Sequence, residues 1–415
     1  MKLQKIFSTP SNDHFFFGYF DTSQVSPDDK NILAIKINKL NELPSTDHRY
    51  NIHLFNIENN TNEIIADTCT INFQQGSRIH WINNTSFITN DFNGTNYFSK
   101  IINIKTKKVE KIYDLPIYSI SNNKKFAITL DYSRLYWVRR GYSYDGIKDI
   151  NKNHKIFIDE TVNIFDLDTG ITKKLFNMND VLSISYSKIM NNCTHYLEHV
   201  SISPDDDMFI FLHRFRLSDG GIYARLMKFD FNNNSLKLIL DSGRISHFSW
   251  ISSSELLFYG SFGNVLTKIR KINILKIFFK FFLKIYKFFI KDNSNISKLS
   301  TGDGYRIINV NSKKKTLIQN YTLNKEDGHP TPFNESFFIT DTYPDYDNNN
   351  TGTLYGYNIK DDKLLTLDKL KSLPELDNSP LRCDLHPRFS SSKKLLSIDS
   401  MNNKNRSSIV YKIII

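Results

Sequence analysis

The amino-acid sequence predicts an all-β protein, a seven-bladed β-propeller that carries an inserted amphipathic helix. A hairpin pattern recurs seven times along the chain, a second hairpin pattern follows six of those copies, and the final strand stands alone. Internal repeats take precedence over the two or three domains that a length of 415 residues would otherwise suggest. We therefore expect residues 1–415 to form a single propeller domain.

The first repeated unit is a strand, a tight polar turn and a second strand. Its clearest copy, EHVSISPDDDMFIFLHR, runs from Glu198 to Arg214. Pro204 presets φ at the first central position of the turn, and Asp205 and Asp206 can bond the local backbone. The other six copies begin at Phe20, Ile79, Ile117, Ile245, Gly328 and Leu385.

The second repeated unit is an apolar strand, a polar turn and another strand. Its turns lie at residues 58–60, 105–107, 168–170, 232–234, 311–313 and 360–362. The turn Asp168-Thr-Gly170 is a strong hairpin signal. The last unit has only the strand 408–415, and residues 1–7 can supply its missing outer strand, which closes a ring without exposed edges. A β-sandwich or a pair of small barrels is the alternative, and the matched units favour the propeller.

Two insertions interrupt the repeats. Residues 133–160 include the aromatic and basic stretch YWVRRGY, and we expect them to form a loop on one face. In residues 264–300, five lysines spaced by four, four, three and four place their charges on one stripe of a helix, and Phe, Ile and Leu cover the rest. Such a helix over 274–291 is too charged to span a membrane and fits the interface of the inner membrane. Packing on the propeller or a dimer contact is the alternative.

The net charge of +11 is concentrated in the second insertion, where nine basic residues face one acidic residue. A nucleic-acid partner is therefore not expected. Three scattered cysteines, Cys69, Cys193 and Cys383, indicate free thiols in a reducing compartment. The first residues lack the apolar core of a signal peptide. Together these features predict a cytoplasmic protein that is peripheral on the inner membrane.

Histidines recur where a propeller would bring them to one channel mouth. His199, His247, His329 and His386 each begin the innermost strand of a blade, and the starts of these strands share a face. Other polar or aromatic candidates near these positions are Tyr19, Asp21, His213, Arg214, Arg225, Asp341, Tyr343, Arg382 and Arg388. Arginine pairs with carboxylates, tyrosine offers a flat surface for a sugar ring, and histidine can act as a base near neutral pH. The set predicts a site for an anionic glycan.

Several blade segments resemble the oligogalacturonate lyase family of seven-bladed propellers. They are His199–Asp205 (HVSISPD), Phe211–His213, Ser246–Trp250, Gly328–Pro330 and Asp384–Phe389. The resemblance spans most of the chain. It implies β-elimination on uronate oligosaccharides, with a metal held mainly by histidines and a histidine base beside an arginine.

The resemblance also implies roles for individual residues. His213 matches the position of the base, Arg225 a substrate-facing arginine, and His247 and His386 two metal positions. Where the family has a His-Pro-His-Pro run with a nearby glutamine, this chain reads CDLHPR over residues 383–388.

That departure leaves two alternatives open. Asp384 can join His247 and His386 in holding a divalent cation such as Mn²⁺. Alternatively, Arg388 supplies a fixed positive charge in place of the metal. The presence of Arg388 slightly favours the second alternative, a weakened or absent metal site.

The leading hypothesis is a lyase-like enzyme that acts on an acidic bacterial polysaccharide during capsule or lipopolysaccharide synthesis or editing. In this hypothesis arginines clamp the acidic sugar, His213 or His199 removes the proton, and Tyr343 protonates the leaving oxygen. The candidates for contact with the substrate are Tyr19, Asp21, Arg214, His329, Asp341, Arg382 and Arg388. A non-catalytic propeller that binds a glycan or a protein at the membrane is the alternative. A third hypothesis is a hydrolase or transferase that uses Asp21 and Asp341 as paired carboxylates.

Overall fold

A computed structural model of the chain describes residues 1–156, 160–217, 220–263, 302–345, 350–376, 380–401 and 404–415. The predicted amphipathic helix over 274–291 lies outside the described residues. Within them, no helix combines the length and the apolar character needed to cross a membrane.

The described residues form seven four-stranded antiparallel sheets, which confirms the predicted seven-bladed β-propeller. Blade 1 contains β2 (His14–Phe16), β3 (Asn31–Ile37), β4 (Tyr50–Asn56) and β5 (Asn62–Thr68). Blade 2 contains β6 (His80–Trp81), β7 (Ser86–Phe92), β8 (Tyr97–Asn103) and β9 (Val109–Tyr113). Blade 3 contains β10 (Ser119–Ile120), β11 (Phe126–Thr129), β12 (Thr161–Asp166) and β13 (Thr172–Asn177). Blade 4 contains β14 (Thr194–Ile202), β15 (Met208–Arg216), β16 (Ile222–Asp230) and β17 (Ser235–Gly243).

The remaining blades complete the repeat. Blade 5 contains β18 (Ile245–Trp250), β19 (Glu255–Gly260), β20 (Gly304–Asn309) and β21 (Lys315–Leu317). Blade 6 contains β22 (Thr331–Asn334), β23 (Phe337–Asp341), β24 (Thr351–Asn358) and β25 (Lys363–Lys371). Blade 7 contains β26 (Arg388–Phe389), β27 (Leu395–Ser400), β28 (Ser407–Ile414) and β1 (Lys2–Ser8). The helices of the described residues are short, namely α1 (Tyr132–Val138), α2 (Met178–Ser183), α3 (Tyr321–Asn324) and the 3₁₀ turns Arg140–Tyr142, Lys188–Met190 and Pro374–Leu376.

The N-terminal strand completes blade 7, as the unmatched final strand predicted. β1 pairs antiparallel with β28 from Lys2 opposite Ile414 to Ser8 opposite Ile409. The outer strand of this blade therefore comes from the start of the chain and its other three strands come from the end. This closure covers the backbone edge that β28 would otherwise expose.

The six turns of the second hairpin lie where the sequence placed them, and they share one backbone feature. The last residue of each predicted turn has a positive φ, in Asn60, Lys107, Gly170, Asn234, Lys313 and Asp362. A three-residue hairpin loop needs a left-handed residue at its end, and Gly, Asn and Asp adopt that conformation most easily. Four of the six turns end in such a residue, so local turn chemistry favours these hairpins.

Blade 1 begins earlier than the sequence pattern indicated. Its inner strand pairs with β3 at His14–Phe16, the chain then leaves the ladder, and Val25 rejoins it opposite Ile32. Gly18 lies in the excursion with φ +139°, and a side chain there would meet the backbone of Gln75 at 2.7 Å. Glycine is therefore required where this segment approaches blade 2.

Contacts divide the chain into two compact units. The first unit comprises residues 1–152, 161–175 and 328–415 and contains blades 1, 2, 6 and 7 and nearly all of blade 3. The second comprises residues 153–160 and 176–327 and contains blades 4 and 5. Each has buried aliphatic and aromatic side chains between its sheets, such as Leu33 and Phe87 in the first and Leu226 and Phe258 in the second. The three cysteines, all among the described residues, are buried, and none of them forms a disulfide.

Candidate metal centre and active site

Three buried side chains of the first unit meet beside the innermost strands of blades 6 and 7. His329 lies two residues before β22, and Asp384 and His386 lie shortly before β26. One potential ligand atom from each lies within 4.8 Å of the other two. The rings of His329 and His386 are 4.3 Å apart between centroids and nearly perpendicular. The repeat brings these residues together because the blades place the starts of their inner strands side by side.

Asp341, at the end of β23, holds both histidines in position. Its Oδ1 accepts hydrogen bonds from the backbone N–H of His329 at 2.7 Å and from His329 Nδ1 at 2.9 Å. Its Oδ2 accepts the backbone N–H of His386 at 3.1 Å. Burial opposes ionisation of Asp341, but His329 and the two N–H groups outweigh it and lower its pKa. Asp341 is therefore a carboxylate that orients the centre.

The partners of the two rings determine which nitrogen faces the centre. His329 Nδ1 donates to the Asp341 carboxylate, and His386 Nδ1 donates to the carbonyl of Gly18 at 2.8 Å. Because these oxygens are acceptors, each neutral ring carries its proton on Nδ1 and its lone pair on Nε2. Metal-binding histidines usually have this arrangement, with the second nitrogen bonded to a carboxylate or a carbonyl.

Asp384 supplies an oxygen to the same centre. Its Oδ1 accepts a 2.6 Å hydrogen bond from Arg382 Nε. Its Oδ2 is buried, lies 3.9 Å from His386 Nε2, and has no hydrogen-bond partner among the described residues. A buried carboxylate oxygen without a partner is costly, and a cation would satisfy it. Two imidazoles and one carboxylate therefore fit a divalent transition metal such as Mn²⁺.

Aromatic rings and Arg382 surround this centre. The Arg382 guanidinium lies 4.5 Å over the ring of Tyr343, and its side chain is 22% exposed. The described residues offer no further hydrogen-bond acceptor to its terminal nitrogens. The ring of Tyr343 lies 5.9 Å from His329, and that of Tyr19 lies 5.2 Å from His386. Arg382 is therefore placed to receive a carboxylate beside flat aromatic surfaces.

The guanidinium of Arg388 is used in hydrogen bonds within the propeller. Its Nη1 donates to Gly18 O at 2.8 Å and to Asp399 at 3.1 Å, and its Nη2 donates to Gln24 at 3.3 Å. The side chain is 1% exposed. Of the two alternatives that the sequence left open, the structure favours the cation site over a replacement charge. Because the Arg388 side chain is buried, the structure does not support its predicted role in substrate binding.

Asp21 forms a separate network with Arg78. The two terminal nitrogens of Arg78 donate to the two oxygens of Asp21, each at 2.9 Å, and the guanidinium lies 4.6 Å over Tyr118. Arg78 is buried and was not among the residues that the sequence indicated. Asp21 and Asp341 therefore have different partners, an arginine in one case and histidines in the other.

In the second unit, His213 is the middle member of a buried chain of hydrogen bonds. Its Nε2 lies 2.9 Å from His195 Nδ1, and its Nδ1 lies 3.3 Å from Arg225 Nη1. His195 Nε2 donates to Met190 O at 3.0 Å, so His195 Nδ1 accepts from His213 and His213 Nδ1 accepts from Arg225. Burial lowers the pKa of His213 well below its usual value, with His195 and Arg225 acting in the same direction. His213 is therefore neutral.

His213 and Arg225 are also closed to solvent. Both side chains are fully buried, and Arg225 contacts Ile184 O and the Met190 sulfur. His195 completes this group and was not singled out in the sequence, although His195 and His213 lie on neighbouring strands of one blade. The roles of His213 as base and Arg225 as substrate ligand stay predictions.

The other candidates of the second unit form a further polar cluster. Arg214 Nε lies 2.6 Å from Glu198 Oε1, and His199 Nε2 lies 3.5 Å from the same oxygen. His247 Nδ1 lies 3.1 Å from Asp327 Oδ1, and its ring is 6.4 Å from that of His199. The predicted metal set of His247, Asp384 and His386 is thus divided between the two units. Within the first unit, His329 is the histidine that accompanies Asp384 and His386.

The comparisons with known proteins agree with this fold. No family model and no curated protein matches the sequence. Among solved structures, the chain is similar to an oligogalacturonate lyase from Vibrio parahaemolyticus, with 13% identity, coverage of 100% of this chain and 98% of that chain, and a TM-score of 0.63. It is also similar to an oligogalacturonate lyase in complex with manganese, with 12% identity, coverage of 100% and 97%, and a TM-score of 0.61.

These comparisons confirm the distant resemblance that the sequence indicated. Propellers also occur in proteins of other functions. The tricorn protease is similar to this chain with 11% identity, coverage of 94% of this chain and 33% of that chain, and a TM-score of 0.50. At such identities the similarity establishes the fold, and function has to be argued from the site.

Proposed function

We propose that the protein is a cation-dependent, lyase-like propeller that cleaves an acidic bacterial glycan by β-elimination. The observation that carries the proposal is the buried centre of His329, Asp384 and His386, with Arg382 beside it. The manganese complex of a lyase with the same fold supports the choice of cation.

The residues of the first unit fit the recognition of a uronate. Arg382 would bind the sugar carboxylate through its terminal nitrogens while its Nε holds Asp384. Tyr19 and Tyr343 would pack against the sugar ring. A divalent cation bound by the two histidines and Asp384 would polarise the carboxylate and make the proton on the neighbouring carbon more acidic.

The proposed reaction removes one proton and breaks one carbon–oxygen bond. A base takes the proton next to the carboxylate, the electron pair forms a carbon–carbon double bond, and the glycosidic oxygen leaves and is protonated. By the resemblance, His213 is the proposed base; to take the proton it would give up the hydrogen bond that its Nδ1 accepts from Arg225, beneath the cover of Ile184 and Met190. Tyr343, beside His329, is the proposed acid.

The test is ultraviolet absorbance during incubation with a panel of acidic bacterial polysaccharides, because unsaturated uronate products absorb in the ultraviolet. We expect absorbance to grow with Mn²⁺ and to stop growing with EDTA. His213→Gln should abolish it if this residue is the base, and Lys393→Gln, an exposed change, should not. A flat trace with every glycan would reject the lyase.

A non-catalytic scaffold is the second candidate, and the complete burial of His213 and Arg225 favours it. In that case the centre of the first unit binds a glycan without turnover. Retention of glycan on the immobilised protein, with a flat absorbance trace and unchanged glycan length, would support the scaffold and exclude the enzyme.

We further propose that the protein works at the cytoplasmic face of the inner membrane, in capsule or lipopolysaccharide synthesis or editing. The support is the lysine stripe of residues 274–291 in the sequence. In a sedimentation assay with anionic vesicles, the full chain should be found in the pellet. A variant with its five stripe lysines changed to glutamate should stay in the supernatant. Equal sedimentation of both would contradict the membrane location.

A further inference from the structure

The first insertion presents two large apolar side chains to solvent. In α1, the side chains of Tyr132 and Leu135 are buried. Trp137 follows Leu135 by two residues, which is nearly the opposite side of a helix, and it is 46% exposed. Ile150, further along the insertion, is 91% exposed. Apolar side chains of this size gain free energy when they leave water, so both are candidates for contact with a partner.

Contacts beneath these two side chains place them on one surface. Arg134, one helical turn before Trp137, forms a 3.1 Å ion pair with Asp149 that is almost completely buried. The ammonium group of Lys152 lies 5.6 Å from the centre of the Trp137 ring. Asp149 and Lys152 flank Ile150 in the chain, and both contact α1. The segment that carries Ile150 is therefore held against the helix that carries Trp137.

The same surface carries an excess of positive charge. Residues 133–152 contain five basic and two acidic side chains, a net charge of +3. One acidic side chain is in the buried ion pair, and the other, Asp145, accepts a 2.7 Å hydrogen bond from a backbone N–H group. Arg140, Lys148 and Lys152 are exposed. Exposed cations therefore accompany the exposed tryptophan and isoleucine.

This combination of side chains fits the head-group region of an anionic bilayer. A tryptophan is stable at that depth because its ring is apolar and its N–H group is polar. An isoleucine gains free energy by entering the boundary of the acyl chains, and lysine and arginine stay among the anionic head groups. A hydrated glycan would leave Ile150 largely in water. Charge and apolar exposure together therefore favour a lipid surface.

The insertion also packs beside the metal centre. Tyr142, in the 3₁₀ turn that follows α1, packs with Tyr19 and Phe20. The ring of Tyr19 lies 5.2 Å from that of His386, and the ring of Phe20 lies 5.2 Å from that of His329. A layer of aromatic side chains thus connects the insertion to the centre. A partner that binds the insertion is therefore brought close to the centre.

We propose that Trp137 and Ile150, with the cations Arg140, Lys148 and Lys152, form a contact surface for an anionic bilayer. The tryptophan ring lies at the level of the head groups, the isoleucine enters the acyl boundary, and the three cations lie among the lipid charges. The metal centre is then held next to the bilayer. This surface does not depend on the lyase activity, and it is separate from the lysine stripe of the second insertion.

The test is tryptophan fluorescence during titration with phosphatidylglycerol vesicles. The chain has three tryptophans, and the indole N–H groups of Trp81 and Trp250 donate to backbone carbonyls at 3.1 and 3.4 Å. We expect the emission to move to shorter wavelength and brominated lipids to quench it. Trp137→Phe should abolish both changes, and Trp250→Phe, the matched control, should keep them. Phosphatidylcholine vesicles, which have no net charge, should give a response at least about tenfold weaker.

A second measurement compares two exposed isoleucines of blade 3 by partition onto the same vesicles. Ile150→Ala should lower the partition coefficient by about fivefold or more, because it removes methyl and methylene groups that leave water on binding. Ile171→Ala is the matched control. Ile171 is 71% exposed and lies in the turn between β12 and β13, so its removal should change the coefficient by less than about twofold. Thermal unfolding checks that both variants fold.

Other outcomes overturn the contact surface. If the chain sediments with vesicles while Trp137 does not respond, this surface is rejected, and the location proposed from residues 274–291 stands. A response to polyglutamate but not to vesicles would assign the surface to an acidic protein. Equal partition of Ile150→Ala and wild type, or an equal response to phosphatidylcholine, would also overturn it. A flat absorbance trace with every glycan would reject the lyase and leave this surface standing.

Discussion

Replacing Asp384 by asparagine should uncouple the protein from its cation while leaving the fold intact. The carboxylate has one oxygen on Arg382 and one buried oxygen without a partner among the described residues. Asparagine keeps the shape but removes the charge. The asparagine oxygen can still accept from Arg382 Nε, and the loss of the ionic part of that bond is offset by the removal of an unsatisfied buried anionic oxygen, so we expect the cation-free variant to lie within about 2 kcal/mol of wild type.

The magnitude of the cation effect follows from linkage. At a free Mn²⁺ concentration about 100 times Kd, binding to the folded state alone stabilises it by about 2.7 kcal/mol. A chain of 415 residues has an unfolding entropy of about 0.9 kcal/mol/K, so Tm should rise by about 3 °C. Loss of a direct ligand should weaken binding by at least about 100-fold, since loss of an outer partner alone costs 10–100-fold. The shift in Tm should then fall below about 1 °C.

The assay is thermal unfolding with and without Mn²⁺, followed by calorimetric titration of the ion. Asp47→Asn is the matched control, because it removes an exposed carboxylate of the same unit, and it should keep the full shift. Either of two results would refute the metal centre: a wild-type Tm that does not change with Mn²⁺, or an Asp384→Asn variant whose Tm rises with Mn²⁺ as much as that of wild type.

Further predictions concern other parts of the first unit. Gly328→Ala should destabilise the protein by several kcal/mol in urea unfolding, because the new methyl group would lie 1.8 Å from Asp341 O, and a variant as stable as wild type would contradict this close contact. Burial raises the pKa of the Cys383 thiol to about 12, so iodoacetamide at neutral pH should modify it, by peptide mass mapping, only after unfolding. Burial opposes ionisation of Asp91, but Lys100 outweighs it and lowers the pKa to about 2. The resulting stability is present above the unfolded pKa of 3.8 and is lost as pH falls through about 2, so Asp91→Asn should flatten this acid limb in urea titrations, and an unchanged limb would contradict it.

The parts of the fold that follow from local turn preferences or from the repeat could be predicted from the sequence. The turns ending at Asn60 and Gly170 follow from local backbone preferences, and the pairing of β1 with β28 follows from the single unmatched strand. The meeting of His329 with His386 follows in the same way from their equivalent places in the repeat. The repeat pattern was therefore sufficient to predict that these two histidines meet.

The partners of the buried charges could not be predicted, because they are distant in sequence. Arg388 binds the carbonyl of Gly18, 370 residues away, and nothing in its own segment indicates that it is a framework residue. Arg78 likewise reaches Asp21 from a position with φ of +54° that an arginine rarely adopts. Deciding whether an arginine serves the fold or the ligand requires knowing which donors remain, and only the structure shows that.

The pairing of the first and last strands also has a consequence for biosynthesis. The ribosome makes Lys2 long before Ile414, its partner in blade 7, so β1 has to wait while nearly the entire chain is synthesised. During that time Phe7 lacks Val410 of β28, one of the side chains that it packs with in the folded protein. The entropy of closing so long a loop grows only slowly with length, but contacts of this sequence separation form late. Blade 7 is therefore completed only after residues 409–414 have been made, and the waiting strand is the segment that a chaperone would have most reason to hold.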